Sequence, residues 1–319
     1  MNQLVLVSLL PVVFLIASGF IAGRAGWIRA VAVKDLSNLV FLLLAPALLF
    51  RTMSVVRIEQ LDFKPVAAYF VAVVILFSGI LLVNGFNRRG AVLALAGTFS
   101  NTVMIGIVLI GLMYGPRGLI TLLTLVSVHS LVLLTCATLV LELAVAREHK
   151  QKQGTLSSAA ASPWRAGATV MNALKNALLH PVPLPIMVGL LFAQTGWVMP
   201  VVIDKPLELL ASAFGPLALV MVGITLASTP VGLYWRQATV LAVVKNLLHP
   251  LLVFGLCHLL GVIGLPMVVM VVAAALPMGA NVFLFSQRYG VAEELITATV
   301  VVSTVLAMLT LTMVLVLVG

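Results

Sequence analysis

The sequence predicts an all-α polytopic membrane protein: ten transmembrane helices in two inverted five-helix repeats, with helices 4 and 9 broken and crossing. Three observations predict it. The chain of 319 residues is 62% hydrophobic and 8% charged, with a mean hydropathy of +1.23; a soluble domain needs far more charge to cover its surface. Its apolar residues fall into runs of roughly 20, the length that crosses a bilayer. A polar stretch, Arg147 to Gly167, divides those runs five and five.

The spans are expected at 4–23, 36–55, 65–83, 91–113, 118–143, 177–196, 206–228, 238–261, 267–285 and 295–318. The first is apolar from its start and has no basic residues ahead of it, so it reads as a retained span and not a cleaved signal. The second carries Pro46 at its middle. The third is uninterrupted. The fourth has Gly97, then the polar step Ser100-Asn101-Thr102, then Gly106. The fifth carries Ser127 and His129 and ends at Glu142. The segment 146–176, rich in Gly, Ser, Ala and Lys, reads as a solvated linker. The sixth is plain. The seventh carries Pro216, and the eighth Lys245, His249 and Pro250. The ninth has Pro277, Gly279 and Asn281 at its middle. The tenth carries Ser303. Two five-helix units result, 1–145 and 177–319. Cys136 and Cys257 both fall inside spans and read as small core hydrophobes, not a disulfide.

Lys and Arg set the orientation. Loops after the odd spans hold Arg24, Arg29, Lys34, Arg88, Arg89, Arg147, Lys150, Lys152, Arg165, Lys175, Arg236 and Arg288. The other side holds Arg51, Arg57, Lys64, Arg117 and Lys205. Both termini are therefore expected outside and the linker in the cytoplasm. This loop bias explains the net charge of +9. No basic patch interleaved with aromatics exists to track a phosphate backbone, so no nucleic-acid partner is expected.

Five spans per half make the second half enter from the opposite side, so homologous halves must be inverted, the common plan of secondary transporters. Matching features occur in the same order in both halves. Pro46-Ala47-Leu48-Leu49 in span 2 matches Pro216-Leu217-Ala218-Leu219 in span 7. The polar step of span 4 matches Pro277 to Asn281 of span 9, and Ser127 matches Ser303.

The interrupted spans define the candidate site. Proline removes a backbone donor and clashes one turn back, and glycine weakens a helix further. In hydrocarbon such breaks are tolerated only where protein or a water-filled cavity satisfies the freed groups. Helix breaks are thus expected at Pro277, Gly106, Pro46 and Pro216. Where two broken helices meet, half-helix N-termini present free N–H groups and a positive dipole end, which suit an anion. Ser100, Asn101, Thr102, Pro277, Gly279 and Asn281 are the expected substrate-binding residues there. Simple kinks and interhelical hydrogen bonds are the alternative reading.

Three ionisable residues at depth join the candidates. Lys245 is placed to neutralise a carboxylate or, alternatively, to snorkel to the cytoplasmic surface. His129 and His249 are placed to carry protons or to bond neighbouring helices. No Asp or Glu lies deep in any span. Coupling is thus left to H⁺ through histidine, to Na⁺ on backbone oxygens, or to the membrane potential. No cofactor and no metal site is expected, since the histidines lack partners at ligand spacing.

The segments GTFSNTVMIGIVLIGLMYGPRG and AALPMGANVFLFSQRYGV resemble the auxin efflux carrier family, in particular its bacterial malonate-transporter-type members. SVHSLVLLT, KNLLHPLL and VVSTVLAMLTLTMVL add to the match, which covers essentially the whole chain. The resemblance implies a scaffold of spans 1, 2, 6 and 7 and a transport domain of spans 3–5 and 8–10. It also implies elevator-like motion, a homodimer through the scaffold, a bacterial inner membrane and small organic anions such as malonate as substrates. One departure is plain: Val108 stands where the family commonly has proline, which leaves the sharpness of the break in span 4 open.

An intramembrane enzyme is disfavoured by the lack of HExxH, GxSxG and paired acids at the midplane. A channel would show a filter or pore-lining ring, and a receptor a sizeable soluble domain. A secondary transporter of a small carboxylate is the expected function.

Overall fold

A computed structural model describes residues 2–29, 31–153, 183–228, 232–279 and 281–318. Most of the expected linker, and the first residues of span 6, lie outside the described residues. Within them the chain is helical, and the one extended pairing is an isolated antiparallel bridge between Ser100 and Met278.

The helices are α1 (Asn2–Arg24), α2 (Ala32–Leu39), α3 (Ala45–Met53), α4 (Lys64–Asn84), α5 (Arg88–Thr98), α6 (Ile107–Gln153), α7 (Pro183–Gln194), α8 (Val201–Ser228), α9 (Trp235–Val243), α10 (His249–Leu259), α11 (Leu265–Ala275), α12 (Asn281–Tyr289) and α13 (Glu293–Val318). Wider π-turns join α2 to α3 (Val40–Leu44), lead into α6 (Thr102–Gly106) and join α9 to α10 (Val244–Leu248). Among the described residues, six helical stretches are long and apolar enough to cross a membrane: Ala32–Met53, Lys64–Asn84, Thr102–His129, Val201–Ser228, Trp235–Leu259 and Glu293–Val318. Shorter apolar helices, Leu10–Arg24, Cys136–Val145, Leu184–Gln194 and Leu265–Ala275, fall at the remaining expected spans.

α6 is two helices in one. Gly115 has φ 58° and ψ −151°, a conformation open to glycine at no steric cost, and Pro116 follows. The two arms fold against each other, with Gly111 facing Leu119 and Gly118 facing Ile110 and Tyr114. The second arm continues through Gln153, so helix occupies the first residues of the expected linker.

Two of the expected helix breaks are absent. Pro216 lies inside the unbroken α8. Pro46 stands in the first turn of α3, directly after the π-turn Val40–Leu44. Pro250 sits in the same relation to the π-turn Val244–Leu248. The wider turn relieves the clash of the ring with the preceding carbonyl, so the helix runs on. Cys136 is exposed on the bundle surface and is not a core residue; Cys257 is buried, and both are free thiols.

Packing separates two groups of helices. α1 lies chiefly on α8, and α3 lies on α7 and α8. The approach of α1 to α8 is close enough that a side chain at Gly19 would meet the Val220 backbone, and one at Gly223 the backbone of Ile16 to Phe20. Small residues that let backbones touch are the usual means of helix association in lipid. Arg51 of α3 adds an ion pair with Asp204 of α8 at 2.7 Å. In the second group α4 packs on α5 and α10, α10 on α11, and α9 on α13. At its centre lie two half-helices buried on every face, Gly90–Thr98 of α5 and Val268–Ala275 of α11. A helix apolar all round belongs in the interior, and these two lead to the site.

Candidate functional site: two chain breaks held together

The ninth expected span breaks as its sequence requires. Leu276 precedes Pro277 and takes an extended conformation, φ −57° and ψ 151°, because the proline ring disfavours helix in the residue before it. α11 stops there, and α12 begins at Asn281. The fourth expected span breaks without a proline. α5 ends at Thr98, Phe99 is extended (φ −83°, ψ 111°), and Asn101 has φ −77° and ψ 60°. The break precedes Gly106, which instead closes the π-turn by donating its N–H to the Asn101 carbonyl at 3.1 Å. A side chain at Gly106 would meet Leu276 at 2.7 Å, so this glycine serves close approach of the two breaks.

Each break satisfies the other. The Asn101 N–H donates to the Pro277 carbonyl at 2.9 Å, and the Gly279 N–H donates to the Phe99 carbonyl at 3.0 Å. Ser100 and Met278 are the bridged residues between these bonds. Backbone groups freed from two helices thus pair with each other, as the interior of a membrane bundle requires. Gly279 has no room for a side chain, since a Cβ there would lie 2.6 Å from the Phe99 ring. The Met278 N–H donates to Ser303 Oγ of α13 at 2.9 Å. That hydroxyl donates to Asn246 Oδ1 at 2.8 Å, and Asn246 Nδ2 donates to the Ser303 carbonyl at 2.8 Å.

Lys245 lies in the π-turn between α9 and α10 and is fully buried, at 0% exposure. Its Nζ donates to the Ala274 carbonyl at 2.6 Å and the Leu276 carbonyl at 2.7 Å. These oxygens end α11, where the helix dipole is negative and carbonyls lack helical partners. Lys245 therefore neither snorkels to a surface nor lies open to a substrate carboxylate; it caps the broken helix.

The half-helix N-termini carry the remaining polar groups. Asn101 Oδ1 accepts from the Met104 N–H at 3.2 Å, an N-cap on the chain entering α6. Among the described residues, its amide NH₂ and the whole carboxamide of Asn281 have no hydrogen-bond partner, and both residues are half-buried. Thr102 is buried at the start of the same π-turn. His129 and His249 are fully buried on either side of Tyr69. The Tyr69 hydroxyl lies 3.0 Å from Ser100 Oγ and 3.3 Å from His129 Nε2. Its ring packs on both imidazoles, at centroid distances of 5.7 Å to His129 and 5.2 Å to His249.

The structure thus gathers Ser100, Asn101, Thr102, Pro277, Gly279, Lys245 and His129 around the paired breaks. It sets His249 behind Tyr69 and leaves Pro46 and Pro216 elsewhere. Sequence reasoning passed over Tyr69 and Asn246. The signal for Asn246 was an amide beside a buried lysine. Tyr69 carried the signal of a hydroxyl-bearing ring deep in an apolar run.

A crevice of about 20 Å³ lies beside Pro277, lined by Val12, Ile16, Ile105, Thr304 and Met308. That is room for about one water and not for a carboxylate. A larger groove of about 410 Å³ runs between α3, α7 and α8, past Leu42, Pro46, Phe50, Leu184, Val188 and Leu207. Its wall is apolar, and it suits hydrocarbon better than an anion.

A family model described as membrane transport protein matches residues 4–315. The chain belongs to that family, the auxin efflux carriers, and its members are transporters and not enzymes. Among curated proteins it is similar to one named "Putative malonate transporter" from Rhizobium meliloti (strain 1021), 27% identical over 311 residues, covering 95% of this chain and 92% of that one. It is also similar to auxin efflux carrier component 8 of Arabidopsis thaliana, 22% identical over 239 residues, 65% of each chain.

Proposed function

We propose that this protein is a secondary transporter that moves a small carboxylate of the malonate class by alternating access, with its site at the crossing of helices 4 and 9. The observation that carries the reading is the pair of breaks. Two half-helix N-termini, entering α6 and α12, lie together, and beside them the amide NH₂ of Asn101 and the carboxamide of Asn281 have no hydrogen-bond partner among the described residues. Positive dipole ends and amide donors favour an anion over a cation or a neutral solute. Lys245 neutralises the opposite, carbonyl end of the break, so the site's net field remains attractive to one or two negative charges.

The packing supports the division into a scaffold of spans 1, 2, 6 and 7 and a transport domain of spans 3–5 and 8–10. α1, α3, α7 and α8 hold chiefly to one another. The small size of the crevice between α1 and α13 supports a conformational step, because it does not hold a carboxylate as it stands. In this reading the halves are inverted repeats in a bacterial inner membrane, both termini are periplasmic, and the linker is cytoplasmic. The apolar groove on the scaffold side is where a homodimer or lipid would seat.

The test is uptake of labelled malonate into proteoliposomes, with a competition panel of mono- and dicarboxylates. Saturable uptake in wild type that falls at least tenfold in Asn281→Ala, at equal insertion and folding, is the expected result. Absence of uptake across the panel would overturn the carboxylate assignment. Undiminished uptake in Asn281→Ala would remove this residue from the site.

A further inference from the structure

We infer that the coupling ion is a proton and that it binds the His129–His249 pair flanking Tyr69, loading together with the substrate anion; this rests on the transporter reading above. Among the described residues, three ring nitrogens in this cluster have no hydrogen-bond partner: His129 Nδ1 and both nitrogens of His249. Both residues are fully buried. Buried polar groups are nearly always hydrogen-bonded, and a cluster of orphans in a bilayer-spanning bundle is costly to keep. An imidazole tolerates this because its lone pair is a proton site.

Two carbonyls that would suit the competing ion are taken. Na⁺ in transporters is held by unwound backbone carbonyls and half-helix C-terminal ends. Here the carbonyls at the end of α11, Ala274 and Leu276, already accept from Lys245 Nζ. No carboxylate lies deep in the sequence to replace them. Lys245 Nζ occupies the place a mobile cation would take.

The histidines are wired to the breaks. Ser100, bridged to Met278, shares a hydrogen bond with the Tyr69 hydroxyl, which reaches His129 Nε2. Phe99, whose carbonyl accepts from Gly279, packs its ring on His129 at 4.9 Å between centroids. In the neutral tautomer with its proton on Nε2, His129 donates to the Tyr69 oxygen and the Tyr69 hydroxyl proton is directed to Ser100; Nδ1 is then the free lone pair that takes the incoming proton. No covalent bond other than N–H forms or breaks, and the proton leaves by the same nitrogen when the site reopens.

Electrostatics couples this proton to the anion. The polar and charged groups facing the two rings are Tyr69 of α4, Ser100 before α6, Lys245 on the chain leading to His249, and each other. With the site empty, a second positive charge beside Lys245 is repelled. An anion between the half-helix N-termini offsets that repulsion. A unit charge at about 6 Å in an effective dielectric of about 20 shifts an affinity by roughly 100-fold. Proton and anion therefore bind cooperatively and cross as a pair.

The test uses the full-length protein. Adding malonate to purified protein in weakly buffered detergent solution should withdraw about one proton per bound anion, read with a pH indicator. In proteoliposomes an alkaline interior should drive malonate uptake where a Na⁺ gradient does not. Malonate affinity should tighten by up to about tenfold per unit fall in pH. Nitrogen NMR of labelled histidine should show a ring of the pair becoming cationic when malonate binds. His249→Gln and His129→Gln should flatten the pH dependence, but the wild-type measurements stand without them if a variant misfolds. Malonate uptake with no proton withdrawn and both rings neutral, or uptake driven by Na⁺, would overturn the proton site while leaving the transporter reading intact. If no carboxylate in the panel moves, the carboxylate assignment falls and takes this inference with it.

Discussion

Lys245 shows how one side chain decides whether a broken helix is tolerable. Its Nζ makes two short bonds to Ala274 and Leu276, and charge-assisted bonds of this kind contribute about 1.5–3 kcal/mol each. Against this stands the desolvation of a buried ammonium, which is several kcal/mol. Only the pairing with carbonyls at a helix C-terminus, where the dipole is negative, makes the burial favourable. Lys245→Met keeps the volume and leaves both carbonyls buried without a donor. We expect a loss of about 1–3 kcal/mol in stability and at least a tenfold fall in uptake, measured by thermal unfolding in detergent and by proteoliposome flux. Lys245→Arg should not restore flux, because a planar fork does not replace a compact point charge on two oxygens two residues apart. That Lys245 mattered was legible in the sequence, as a charge at depth in an apolar run. Its partner was not, because main-chain oxygens carry no sequence signature.

At the level of elements, the broken helices are tied at their outer ends as well as at the break. Arg88 opens α5 and pairs with Glu148 of α6 at 2.7 Å; it also donates to the Tyr289 carbonyl at 3.3 Å. Tyr289 closes α12 and donates its hydroxyl to Glu142 of α6 at 2.8 Å. Burial, and then the Glu142 carboxylate, push the Tyr289 hydroxyl up from its ordinary 10 to about 12. The folded state therefore holds this proton where the unfolded chain has lost it, so the contribution is full below pH 10 and is lost as pH rises towards 12. Wild-type protein should lose roughly 2–4 °C more in melting temperature across that window than Tyr289→Phe. An equal pH response in the two would show that the Tyr289–Glu142 bond does not hold α12. The sequence made the break in span 9 legible through Pro277, whose ring dictates an extended residue before it. The break in span 4 was visible only as a polar step. Its geometry rests on Phe99 and Asn101 main-chain groups paired to another helix, so Val108 in place of proline does not prevent it. Pro46 and Pro216 misled for the complementary reason: a π-turn or a long packed helix absorbs a proline without breaking.

For the whole molecule, alternating access requires that one group of helices move against the other. α1 and α13 meet at the crevice beside Pro277, where Ile16 and Met308 face the same small space. If α1, α3, α7 and α8 form the fixed part, this wall must part in each cycle. Contacts within the fixed part should persist, such as Phe50 of α3 against Phe192 of α7, at 5.9 Å between ring centroids. We expect a short thiol cross-linker joining Ile16→Cys to Met308→Cys, with Cys136 and Cys257 replaced by Ala, to stop uptake, and reductant to restore it. The same reagent joining Phe50→Cys to Phe192→Cys should leave uptake within about twofold of the uncross-linked protein, since that pair lies inside one packed group and no step of the cycle separates it. Flux that survives the first cross-link would mean the substrate reaches the paired breaks without parting α1 from α13. Flux lost with the second would place the moving boundary inside α3 and α7, against the small-residue packing that binds α1, α3, α7 and α8 together.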